Sequence, residues 1–215
     1  IMLFVMRPIA TNIADFEALR KGGLVYVDKT AYLHRLITTP GSTFFFCARP
    51  RRFGKSLSVT TLKSIFLGHR AYFEGLAIAQ TDYDWHPHAV LHFNWGGVDV
   101  SSLETFERTL AIAVGDSLRE AGYPYDETIP PSSNLARAIR YFYNKDGIGP
   151  AILIDEYDDP VAKALSNVEL AEQIRTRLSV IYAQFKDNSG KIRFLYITGV
   201  SKFTKLSVFS TLSSL

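Results

Sequence analysis

Residues 49–56 read Arg49-Pro50-Arg51-Arg52-Phe53-Gly54-Lys55-Ser56, and they follow an apolar run at residues 43–48. The apolar run predicts a short buried strand. The hydrophobic spacing beyond it predicts a helix over residues 54–67, with Gly68 at its end. A strand, a turn and a helix that begins at Gly-Lys-Ser form the layout of a phosphate-binding loop. Such a loop binds a polyphosphate through backbone N–H groups, the positive end of the helix dipole and a lysine.

The residue types of this loop predict individual roles at a bound nucleotide. Lys55 would stabilise the outer phosphates, and the hydroxyl of Ser56 would bind the Mg²⁺ ion that bridges them. Gly54 lets the backbone approach the phosphates closely. The complete set of predicted nucleotide-binding residues is Arg51, Arg52, Phe53, Gly54, Lys55, Ser56 and Leu57.

The loop departs at Arg49 from the pattern G-x-x-x-x-G-K-[ST], which has its first glycine at that position. Arginine tolerates a positive φ poorly. Two interpretations follow from the residues alone. Either the loop takes a different turn, helped by the fixed φ of Pro50, or the site is degenerate.

Two adjacent carboxylates follow a second apolar run, at residues 151–154. This pattern predicts a central parallel strand whose C-terminal end delivers Asp155 and Glu156 to a ligand, as in a Walker B motif. Asp155 would hold Mg²⁺ through its water shell, and Glu156 would act as the base toward the water that attacks the γ-phosphate. The alternative is that the pair merely caps the helix that begins near Pro160.

A third apolar strand, predicted at residues 193–198, ends in small polar residues. In ATPases that have an extra strand between the phosphate-loop strand and the Walker B strand, this extra strand ends in a polar sensor near the γ-phosphate. Thr198 is the first candidate for this sensor and Ser201 is the second.

Taken together, these motifs resemble those of the AAA-ATPase-like family of bacterial proteins. The resemblance is carried by residues 26–30, 49–56, 154–158 and 198–203, and it spans nearly the whole chain. The family's loop commonly reads Arg-Pro-Arg-Arg-Phe-Gly-Lys-Ser, which argues against degeneration at Arg49. The resemblance implies an ATPase. Members commonly carry a C-terminal nuclease-like domain of the PD-(D/E)XK type, which these 215 residues are not expected to include.

Composition predicts one α/β domain, residues 1–215, since 47% of the residues are apolar. The net charge of +3 gives no electrostatic reason to expect direct nucleic-acid binding. The single cysteine, Cys47, excludes an intramolecular disulfide and suits a reducing compartment. No apolar run approaches the roughly 18 residues of a membrane-spanning helix. We therefore expect a cytoplasmic protein without membrane association.

The predicted strands, at about residues 44–48, 89–95, 150–155 and 193–198, belong in one parallel sheet. We predict a P-loop NTPase three-layer sandwich with a mostly parallel sheet of the additional-strand (AAA+/RecA-like) type. Residues 1–42 form an N-terminal extension and residues 43–215 the core. A further strand and a helical lid do not fit into the last residues, so the core is expected to be truncated at its C-terminal end.

Helix termini can also be predicted from capping residues. Asp28 is predicted to cap a helix that ends before Pro40, with Lys29 solvated; contact of this segment with the base or ribose is the alternative. Ser101 and Glu104 are predicted to form a capping box at the start of another helix. Further helices are predicted at residues 134–144 and 168–186.

Three histidines and two arginines are further candidates for a metal site and for arginine fingers. His86, His88 and His92 lie close in sequence, but no cysteine or carboxylate nearby completes a tetrahedral set, so a zinc site is not favoured. Arg175 and Arg177 are candidate arginine fingers acting on a neighbouring subunit, which leaves oligomerisation open. Solvated helix charges are the favoured interpretation of both arginines.

These residues predict a chain that binds Mg²⁺ and ATP and hydrolyses the ATP to ADP and phosphate, coupled to a conformational change. The predicted catalytic residues are Lys55, Glu156 and Thr198, and the predicted metal ligands are Ser56 and Asp155. One alternative is an ATP-binding switch with little hydrolysis that controls a nuclease or another effector, so that nucleic acid is involved only indirectly. A phosphotransferase is less favoured, because adjacent Asp155 and Glu156 suit water activation.

Overall fold

A parallel sheet lies at the centre of the computed structural model, which describes residues 8–9 and 13–200. Within these residues the sheet has four strands in the order β1-β4-β3-β2, and every neighbouring pair is parallel. The strands are β1 (Phe44–Ala48), β2 (Val90–Asn94), β3 (Ala151–Asp155) and β4 (Phe194–Gly199). The prediction of a parallel sheet is confirmed, and the predicted bounds agree with the observed ones to within one residue.

The helices connect and cover these strands. They are α1 (Phe16–Lys21), α2 (Thr30–Thr38), α3 (Lys55–Phe66), α4 (Leu103–Glu120), α5 (Pro131–Asp146), α6 (Asp159–Lys163) and α7 (Val168–Asp187). Short 3₁₀ helices lie at Arg70–Phe73, Ala77–Gln80, Trp95–Gly97 and Ser189–Lys191. None of the helices among the described residues combines the length and the apolar character needed to cross a bilayer.

The sheet separates two apolar cores because successive side chains of a strand point to opposite faces. On one face, Leu91, Ile152 and Leu195 pack in a cluster with buried residues of α4, α5 and α7. On the other face, Val90, Leu153 and Tyr196 pack with buried residues of α1, α2 and α3. The central strands β3 and β4 are therefore buried on both faces, which explains why they read as continuous apolar runs, whereas β1 at the edge of the sheet is half-buried and exposes Phe46.

Two capping predictions were wrong in position. The N-cap of α4 is Ser102, whose Oγ accepts a hydrogen bond from the Thr105 N–H at 3.1 Å. Ser101 instead donates its N–H to Asp99 Oδ1 at 2.8 Å, which places it in the turn before the helix and excludes a Ser101–Glu104 capping box. The N-cap of α2 is Lys29, the residue after Asp28. The Asp28 carboxylate accepts hydrogen bonds from the N–H of Thr30, at the start of α2, and from the N–H of Ala77.

Candidate active site

The predicted site residues follow three adjacent strands. In a parallel sheet all C-terminal strand ends meet at one edge, which is where ligands bind in open α/β sheets. The loop at residues 49–54 follows β1, Asp155 ends β3, and Thr198 lies at the end of β4. Since β4 lies between β1 and β3, and Thr198 pairs with Cys47 of β1, the threonine lies between the loop and Asp155.

The loop takes a turn that does not require a glycine at its first position. Arg49 is absent from the described residues with positive φ, and its N–H donates to the Gly199 carbonyl at 3.1 Å. The left-handed conformations occur later, at Arg52 with φ 67° and at Gly54 with φ 73°. Of the two interpretations of Arg49, the backbone therefore supports a different turn.

Lys55 begins α3 and is held over the first turn of the loop. Its side-chain ammonium donates to the carbonyl oxygens of Arg49 at 2.9 Å and Pro50 at 3.0 Å, and the residue is only 8% exposed. An ammonium has three donors, so the third remains for a ligand. The predicted residues on either side differ in exposure: Ser56 and Leu57 are half-buried, whereas Phe53 is 61% exposed.

Asp155 and Thr198 bond directly to each other in a buried position. The Thr198 hydroxyl donates to Asp155 Oδ1, and this same oxygen accepts the Glu156 N–H at 3.1 Å. Both residues are nearly inaccessible, Asp155 at 3% and Thr198 at 0% exposure. Asp155 therefore does not cap the following helix, whose N-cap is Asp158. The structure brings together the predicted metal ligand and the predicted sensor, a contact that the sequence did not reveal. Ser201, the second sensor candidate, lies outside the described residues.

Glu156 occupies a strained and partly desolvated position just after β3. Its φ is 56°, in the left-handed region that non-glycine residues rarely adopt. Burial, followed by the neighbouring carboxylates of Asp155 and Asp159, raises the pKa of Glu156 above its usual value. The ammonium groups of Lys163 and then Lys55 oppose this rise in pKa without outweighing it.

The Glu156 carboxylate occupies the space that a side chain at Gly96 would fill. A Cβ atom at Gly96 would overlap Glu156 Oε2, so no other residue fits there without moving that carboxylate. The loop carrying Gly96 is fixed by Lys163, whose Nζ donates to the Gly96 carbonyl at 2.6 Å and pairs with Asp159 at 2.6 Å. Sequence reasoning missed Gly96 and Lys163, because only the pairing of β2 beside β3 places the β2 loop next to Glu156.

The other candidate residues make local contacts, although the buried Nδ1 atom of His88 has no hydrogen-bond partner among the described residues. His88 donates its backbone N–H to the Phe66 carbonyl at 2.7 Å, and its ring meets that of His86 edge-on. On α7, Arg175 pairs with Glu172 of the same helix, and Arg177 pairs with Glu107 of α4. Both arginines are thus engaged in ion pairs within this chain, and a role as arginine fingers stays a prediction.

Comparison with known proteins establishes the family. A family model described as "Predicted AAA-ATPase" matches residues 9–209, so the chain belongs to this AAA-ATPase-like family, as its motifs predicted. A relative from Azotobacter chroococcum mcd 1, described as "Uncharacterized protein in vnfD 5'region", is 33% identical over 211 residues. The match covers 97% of this chain and 40% of the relative, so the chain spans about two-fifths of that relative's length. No solved structure shows a significant match.

Proposed function

We propose that this chain binds Mg·ATP at the C-terminal edge of the sheet and hydrolyses it to ADP and phosphate. The observation that carries the proposal is the arrangement on three adjacent parallel strands. A loop with a buried lysine follows β1, a buried threonine is the second-last residue of β4, and that threonine bonds to a buried carboxylate at the end of β3. The order β1-β4-β3 also supports assignment to the additional-strand class of P-loop NTPases.

The donor set at this edge fits a magnesium ion. Mg²⁺ prefers oxygen ligands and usually retains several waters, binding through one or two protein oxygens and the substrate phosphates. Asp155 offers a carboxylate, and Ser56 offers a hydroxyl in the first turn of α3. When bound, the ion would neutralise negative charge on the phosphate oxygens. Thr198 holds Asp155 Oδ1 by hydrogen bond and so fixes the orientation of that carboxylate.

The remaining residues supply the chemistry of hydrolysis in this proposal. Lys55 donates to the outer phosphates from the first turn of α3. Glu156 accepts a proton from the attacking water as the water oxygen bonds to the γ-phosphorus and the bond from that phosphorus to the ADP oxygen breaks. A pKa raised by burial makes this carboxylate a stronger base than an exposed glutamate.

Replacing Lys55 by alanine is expected to weaken Mg·ATP binding by about 10- to 100-fold, which corresponds to the loss of one charge-assisted hydrogen bond of roughly 1.5–3 kcal/mol. Titration calorimetry of the wild-type chain and the variant measures the difference. Lys145→Ala, an exposed lysine in the last turn of α5, is the matched control and should bind like wild type. Equal affinities of the Lys55 variant and wild type would contradict the proposed site, as would a folded wild-type chain that binds no Mg·ATP.

Replacing Gly96 by alanine is expected to lower ATP turnover by about tenfold or more while Mg·ATP binding persists, because the new methyl group displaces the Glu156 carboxylate from its position. Phosphate release at saturating ATP measures the effect. Gly97→Ala provides a close control, since a Cβ atom at Gly97 meets no described atom within 4 Å. Equal turnover of the two variants would show that the observed position of Glu156 does not matter for hydrolysis.

A further inference from the structure

A second lysine lies beside the loop, on a segment that precedes β1. A Cβ atom added to Gly54 would lie 3.6 Å from Lys29 Nζ, which is an ordinary van der Waals distance. Gly54 is the residue immediately before Lys55 and is the N-cap of α3. The Lys29 ammonium therefore lies at the turn where the backbone is predicted to approach the phosphates.

The residues on both sides of Lys29 are anchored to the same 3₁₀ helix, Ala77–Gln80. Asp28 Oδ2 accepts the Ala77 N–H at 2.7 Å, and Thr30 Oγ1 accepts the Ile78 N–H at 3.0 Å. Asp28 Oδ1 in turn accepts both the N–H and the hydroxyl of Thr30, at 2.8 and 2.7 Å. The backbone on either side of Lys29 is thus held in place, which directs the lysine toward the loop.

The Asp28 carboxylate is used by this anchor and forms no ion pair with Lys29. Burial alone would raise the pKa of Asp28, but the hydrogen bonds from Thr30 and Ala77 outweigh burial and lower it, so the group is ionised at neutral pH. Within residues 8–9 and 13–200, no carboxylate forms an ion pair with Lys29, although Asp28 is its immediate neighbour in sequence.

The loop that Lys29 adjoins at Gly54 is itself rich in positively charged residues. The loop contributes four further cations: Arg49, Arg51, Arg52 and Lys55. In the part of the chain that the structure describes, none of these four forms an ion pair with a carboxylate either. Like charges placed together repel one another unless an anion lies between them. A highly charged anion is therefore the ligand that this arrangement favours.

We propose that Lys29 is a second phosphate-binding lysine, which contacts the polyphosphate chain of the nucleotide beside Gly54 of the loop. This inference rests on the proposed function, since it assigns a further binding residue to the same site. Lys29 is exposed, which agrees with the sequence-based interpretation of a solvated residue, and the proposal adds a ligand for its ammonium. The alternative is a contact made only to the base or ribose.

The test compares three variants in titration calorimetry with Mg·ATP and with Mg·tripolyphosphate, which has no base or ribose. Lys29→Gln is expected to weaken binding of both ligands by about tenfold, and Lys29→Arg is expected to retain most of the affinity. Lys145→Gln removes an exposed lysine from the end of α5 and is expected to change nothing. The loss caused by Lys29→Gln should shrink as the salt concentration rises, because Lys29 is exposed.

The outcomes separate this inference from the proposed function. If wild type binds Mg·ATP and Lys29→Gln binds both ligands within twofold of wild type, the inference is wrong and the proposed function stands. A loss for Mg·ATP without a loss for Mg·tripolyphosphate also overturns it, because Lys29 then contacts the base or ribose. A wild-type chain that binds neither ligand overturns both proposals. Thermal unfolding of each variant, expected to match wild type, shows that any loss is not caused by unfolding.

Discussion

Replacement of Glu156 by glutamine is expected to lower ATP turnover by about 10²- to 10⁴-fold while Mg·ATP binding stays within about twofold of wild type. Glutamine has nearly the same shape as glutamate, so the packing against Gly96 persists. Its amide cannot accept a proton from water at neutral pH, so base catalysis is lost. Steady-state phosphate release measures turnover, and titration calorimetry measures binding.

The control for this variant is Glu169→Gln, which changes an exposed glutamate in the first turn of α7 and should leave turnover unchanged. Normal turnover of Glu156→Gln with intact binding would show that Glu156 is not the base. A wild-type chain that binds Mg·ATP tightly but releases no phosphate would contradict the hydrolysis part of the proposal. That result would support the alternative of an ATP-binding switch.

Replacement of Gly149 by alanine is expected to lower the free energy of unfolding by about 3 kcal/mol or more, the combined effect of overpacking and of a left-handed backbone. Gly149 has φ 84°, and a Cβ atom there would overlap the Lys191 carbonyl oxygen. Neither backbone can move away easily, because the next residue, Pro150, accepts the Arg193 N–H at 3.1 Å where β3 and β4 begin. Urea denaturation followed by circular dichroism measures the change.

Gly147 offers a matched control two residues earlier. It has φ 73°, and a Cβ atom there meets no described atom within 4 Å. Gly147→Ala is therefore expected to cost only the backbone strain, roughly 1–2 kcal/mol. The difference between the two variants isolates the clash with Lys191. Equal destabilisation of both would show that the chain relieves the overlap by a small backbone shift.

The central strands β3 and β4 could be predicted from the sequence because they are buried along their whole length. Each one reads as an uninterrupted apolar run bounded by polar residues, and the carboxylates that follow Ile154 mark the C-terminal end of β3. The place of β4 was expected from its likeness to ATPases with an additional strand: the strand that carries Thr198 was predicted between the loop strand and the strand of Asp155, and it lies there.

The detailed contacts of the site could not be predicted, because they join residues distant in sequence. The bond from Thr198 to Asp155 depends on the register of β4 against β1 and β3. The contact of Gly96 with Glu156 depends on the loop after β2. The bonds from Ala77 to Asp28 and from Ile78 to Thr30, which hold the backbone on either side of Lys29, join segments almost 50 residues apart and gave no signal in the sequence.

The backbone of the loop has a consequence for recognising related chains by sequence alone. In the pattern G-x-x-x-x-G-K-[ST], the first glycine allows a positive φ at the position of Arg49, but Arg49 does not have a positive φ in this chain. The requirement lies instead at Arg52 and Gly54, the two loop residues with positive φ. A search that scores the first glycine heavily therefore ranks such chains too low. A search that weights Gly-Lys-Ser and accepts glycine, asparagine or arginine two residues before it would recover them.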